Sequence, residues 1–180
     1  MNSKLEGLFK SIFNGTSIKL MENTDPNLYQ SSVSGMKMTI YWGSAPSYEH
    51  ICHEFGHIMD SVYDELPTEV LKNSTINDEN GAFVMGERNV DGTMKYDRQP
   101  GLGYSPPCRS TTVACSTEQH PIDWRGNVGD GNNGDEEWGE LFMNYMTGGF
   151  DLDSAPGRKR MEWTSVMINF LVSPPDYQPY

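Results

Sequence analysis

His53 and His57 stand four residues apart, with Glu54 beside the first, in the run His53-Glu54-Phe55-Gly56-His57. Residues i and i+4 share a face in an α-helix, so this spacing joins two imidazoles only if the run is helical. The flanking residues support that. On a helical wheel of about 100° per residue, Ile51, Phe55, Ile58 and Val62 fall within about 60° of one another. His53, His57, Asp60 and Asp64 cluster on the opposite side, with Glu54 between the faces. The pattern predicts a helix over 48–63, with Ser44 or Ser47 as its cap and both histidines away from the apolar stripe. Gly56 costs such a helix about 1 kcal/mol relative to Ala, which implies close packing of another element against that turn.

Two imidazoles on successive turns can share one metal ion, and the adjoining Glu54 can reach a metal-bound water as general base. A hydrolytic zinc needs a third protein ligand and an open position. His50 shares the histidine face, but it lies about 10 Å along the axis from His57, too far for easy shared coordination. Residues 136–146 offer a better donor. They predict a second amphipathic helix in which Glu136 and Glu140 share a face, while Trp138, Leu141, Phe142 and Tyr145 anchor other sides. Glu136 is the expected third ligand, with Glu137 its competitor. Glu140 is expected behind the ligands, accepting the free N–H of a ligand histidine.

The 180 residues suffice for one domain, and 25 acidic against 13 basic residues give a formal net charge of −12. That balance argues against a nucleic-acid partner and an anionic membrane surface. No apolar run approaches the ~20 residues of a membrane span, and residues 1–20 show no uninterrupted apolar leader. The expected organisation has an N-terminal part over 1–47, with a helix at 4–13 and strands at 17–21 and 36–42. An active-site helix follows over 48–64. Pro67 introduces a short helix to Lys72. Residues 73–135 are irregular, with strand-like pieces at 82–85 and 93–96, and helices occupy 136–172. Arg158-Lys159-Arg160 is expected as a solvated helix start, and Met161, Trp163, Val166, Met167 and Phe170 as core. Cys52 is expected as a buried small hydrophobe. Cys108 and Cys115 are close enough in sequence for a local bridge. With the sequons at Asn14 and Asn73 they lean toward a secreted, oxidising setting; a cytoplasmic one is the alternative. Asp130 to Asp135 lacks the spacing of a calcium loop and is expected as a turn.

Over about 50–172 the chain resembles the gluzincin metallopeptidases, in particular the lethal-factor-like group and uncharacterised bacterial HExxH proteins. The likeness lies in His53-Glu54-Phe55-Gly56-His57 followed by Asp60, and in Glu136 and Glu140 flanking Trp138-Gly139 and followed by Phe142. It implies an α+β zincin-like fold, one catalytic domain over 1–180, with a small twisted sheet over the active-site helix and a helical C-terminal half. It implies Zn2+ on His53, His57 and Glu136, with Asp60 and Glu140 as supporting carboxylates. The strand at 36–42 would then be the upper edge strand, pairing with an extended peptide substrate. Two departures stand out. His57 and Glu136 are 79 residues apart, and Gly129 occupies the position where the lethal-factor pattern carries a catalytic tyrosine. His120, before Pro121, is the candidate oxyanion donor in its place, ahead of Tyr104, Arg125 and Tyr145. The implied function is zinc-dependent cleavage of a peptide or protein substrate. The alternative is a catalytically inactive binding module with a structural or vestigial metal site.

Overall fold

The alternation Lys37-Met-Thr-Ile-Tyr-Trp42 builds a strand with one apolar face, and that face organises the N-terminal part of the molecule. A computed structural model of the chain describes residue 10 and residues 12–22, 31–42, 48–86 and 133–173. In chain order its elements are β1 (Ser17–Glu22), β2 (Ser31–Ser34), β3 (Lys37–Trp42), α1 (Tyr48–Val62), α2 (Leu66–Lys72), β4 (Thr75–Asn77), β5 (Phe83–Gly86), α3 (Asn133–Thr147) and α4 (Ala155–Leu171). The fold is therefore mixed α and β, with two small sheets and helices α1 to α4 among the described residues.

The first sheet has the order β1-β3-β2. β1 runs parallel to β3, pairing Ser17 with Lys37 and Leu20 with Ile40, and β2 runs antiparallel, pairing Ser34 with Lys37. β3 is thus the central strand, which corrects the expectation that 36–42 forms an edge. Among the described residues the edges are β1 and β2. β2 was hidden in sequence because Ser-Ser-Val-Ser carries one apolar residue in a turn-rich stretch. Met38 and Ile40 point to one side and are buried with Ile58 of α1, and Ile51, Phe55 and Val62 pack around them. The apolar stripe of α1 therefore faces the sheet.

The flank of α1 beside that stripe is also covered. Met59 joins Trp138 and Phe142 of α3 and Met167, Ile168 and Leu171 of α4 in the largest core cluster. A smaller core holds Leu71, Ile76, Val84, Met85, Leu141 and Phe150 beneath the β4–β5 hairpin. The Asp78 carboxylate closes that hairpin by accepting from the backbone N–H of Asn80 and Ala82. Gly148, at φ 73°, ends α3 in the left-handed region that side chains avoid. Ser154 caps α4, its hydroxyl accepting from Gly157 N–H.

The buried side of α4 comprises Gly157, Arg160, Thr164, Met167, Ile168 and Leu171. Met161 and Val166 are exposed, which corrects the expected core stripe. Arg160 is only 1% exposed and ion-paired with Glu137, which corrects its reading as solvated. The apolar residues of this helix spread around it, so periodicity did not single out the face that Arg160 and Thr164 share with Met167 and Leu171. Residues 93–96, Cys108 and Cys115 lie outside the described residues.

Replacing Ile58 by Ala, at the fully buried contact between α1 and the sheet, is expected to cost about 2–5 kcal/mol in urea unfolding. Val166→Ala on the open face of α4 should stay within about 0.5 kcal/mol of the parent protein.

Candidate metal centre

Helices α1 and α3 meet glycine to glycine. A Cβ placed on Gly56 would lie 3.0 Å from Gly139 Cα and 3.1 Å from Phe142 Cβ. The close packing implied by a mid-helix glycine is therefore real, and α3 supplies it. The indole N–H of Trp138 donates to Gly56 O at 2.9 Å, fastening the same turn. Trp138 and Phe142 are almost wholly buried beside it.

This approach positions the first histidine. The imidazole of His53 lies across Gly139, where a Cβ would come within 2.7 Å of Cε1 and 2.8 Å of Nε2. Its Nδ1 faces a carboxylate oxygen of Glu140 at 3.4 Å, somewhat longer than an ordinary hydrogen bond. An acceptor on that side favours the proton on Nδ1 and leaves the lone pair on Nε2. The Nε2 of His53 faces His57, and the two Nε2 atoms stand 2.9 Å apart with their rings at 75°. Two nitrogens held by one tetrahedral zinc at ~2.05 Å each would stand about 3.3 Å apart. The pair therefore needs to open by only a few tenths of an ångström, and the donor set fits such an ion. His53 is buried and His57 half-buried, so the pair is open at the His57 end.

Glu54, on the next residue of α1, is buried. Glu136 stands on α3 one turn before Glu140, but its side chain lies outside the described residues, as do His50's side chain and the whole of His120, Tyr104 and Arg125. Among the described residues no group of three His, Cys, Asp or Glu side chains surrounds a common point. Glu137, the competing ligand, is buried and engaged by Arg160. Asp60 is buried, and both its oxygens accept from Thr68, from the backbone N–H at 3.0 Å and the hydroxyl at 2.6 Å. Its hydrogen bonds thus hold the start of α2, and it interacts electrostatically with His57. Burial raises its pKa above the usual carboxylate value, although the Thr68 bonds oppose this. Cys52 is a buried thiol, and Tyr145 is half-buried against both cores.

Sequence reasoning gave Gly139 no role and read Arg160 as solvated. Gly139 carried a usable signal, since a second glycine inside a predicted helix incurs the same propensity cost as Gly56. No family model matches the chain, and neither a curated protein nor a solved structure does.

Gly139→Ala should push the His53 ring aside, lowering stability by about 1–3 kcal/mol through overpacking. The His53 ring signals in an NMR spectrum report the displacement, and urea unfolding of the metal-free protein measures the loss of stability. For Asp60, a raised folded-state pKa means that its contribution is fully present below the unfolded value near 3.8 and is lost as pH rises through the higher folded value. The unfolding free energy of the metal-free parent minus that of Asp60→Asn should therefore fall as pH climbs from about 4, which chelator-treated samples in a pH series will test.

Proposed function

We propose that the chain is a zinc-dependent peptidase of zincin-like fold, with His53, His57 and Glu136 as the ligands. The observation that carries this reading is the convergence of the two Nε2 atoms, with Glu140 behind one ring and Glu54 on the adjoining residue. When bound, zinc would supply a Lewis acid for the scissile carbonyl and would make the attacking water more acidic.

The chain's own groups do the rest. Glu140 orients His53 and keeps its Nε2 lone pair available. Glu54 takes a proton from the attacking water and delivers it to the leaving amine. Burial of His53 and Glu54 keeps bulk water from competing for these protons. His120 is proposed as the hydrogen-bond donor to the oxyanion. Because β3 is internal to its sheet, an extended substrate that adds to this sheet must do so at β1 or β2.

Glu54→Gln should bind zinc as the parent does and lose roughly 10²–10⁴-fold in peptide hydrolysis. Glu136→Gln should lose the metal, and a chelator should abolish cleavage of a peptide library by the parent protein. Full cleavage by the Glu54 variant defeats the mechanism. A tightly held metal without any cleavage points to the inactive module instead.

A further inference from the structure

Arg160 is an arginine with 1% exposure, contributed by α4, that reaches two other elements. One terminal nitrogen pairs with the Glu137 carboxylate on α3 and lies 3.6 Å from Met85 Sδ; the other lies 3.5 Å from Val84 O on β5. A buried ion pair is a poor source of stability compared with apolar side chains of similar volume. Its distinguishing property is direction, because a carboxylate and a planar guanidinium fix each other's orientation.

That direction matters here because of what neighbours Glu137 in sequence. Trp138 is fastened to Gly56 O, and Gly139 lies under His53. Successive residues project about 100° apart around a helix. Grips at 137 and 138 on two sides therefore define how far α3 is rotated about its axis. The third side carries Glu140 behind His53, with Glu136 one turn before it. A rotation of about 20° would move a carboxylate ~6 Å from the axis by about 2 Å. Metal–ligand distances tolerate only about 0.2 Å.

We infer that Arg160 is a positioning residue: acting through Glu137, it sets the rotation of α3, and with it the placement of Glu140 behind His53 and the helix position from which Glu136 would reach a bound zinc. The part concerning Glu136 rests on the zinc reading above; the placement of Glu140 behind His53 does not.

The test compares the parent with Arg160→Met/Glu137→Met, which removes both charges together, and with Arg160→Lys, which keeps the charge but loses the fork. Two readouts are taken: zinc affinity, and the ¹⁵N–¹H ring signals of His53 in metal-free protein. The parent should show His53 protonated on Nδ1. The double variant should stay folded, bind zinc roughly 10–100-fold more weakly, and show a mixture of His53 tautomers. Arg160→Lys should shift the same His53 signals part of the way. A folded double variant with unchanged zinc affinity and unchanged His53 signals overturns the inference. Should the double variant not fold, unchanged His53 signals in Arg160→Lys overturn it equally. A parent protein that binds no zinc removes the proposed function, and the His53 signals then decide the positioning role alone.

Discussion

Everything at the histidine pair depends on the two backbones that touch at Gly56 and Gly139. Glycine at both places sacrifices roughly 2 kcal/mol of helix propensity. In exchange α1 and α3 approach closely enough for a ring on one helix to lie across the backbone of the other. Trp138 and Phe142 sit beside that contact and supply the burial that offsets the cost. An alanine at Gly56 would press on the backbone of α3 and one at Gly139 on the His53 ring, and either would disturb the placement of Glu140 beside His53. Packing and site chemistry are therefore one constraint at this crossing.

α1 is consequently buried on two faces for two different reasons. Its apolar stripe meets the sheet through Met38 and Ile40, and the side carrying Gly56 and His53 meets α3. A helix with histidines and carboxylates on one side would ordinarily turn that side to water. Here His53, Glu54 and Asp60 are all nearly inaccessible, and such groups stay inside only with polar partners. Thr68 provides those partners for Asp60, and Glu140 stands behind His53.

The elements that follow a strict period were legible from the residues. α1, α3 and β3 announce themselves by apolar positions at helical or alternating spacing, and α2 by the proline at its start. The short strands β2 and β4 did not, because three or four residues are too few to show a period. The placement of Glu140 beside His53 was also legible, since a carboxylate one turn from the expected ligand has that face of α3 to share. Arg160 was not, because a basic triplet at a helix start normally belongs to solvent, and only the tertiary position of Glu137 draws one of the three inward. The face of α4 was misjudged for the same reason: Met161 and Val166 are apolar, but the partner helices lie on the other side.

Arg160 bridges Val84 on β5 and Glu137 on α3, so the last strand before residue 87 and the first helix after residue 132 share one buried anchor. Where two points of a chain are held together, the sequence between them can in general change length at little thermodynamic cost, because closure entropy grows by only about 0.6 kcal/mol per doubling. The 79-residue separation between His57 and Glu136 is then compatible with the close approach of α1 and α3. Evolution can lengthen, shorten or rewrite that stretch of chain while the helices carrying the histidines and carboxylates stay in register.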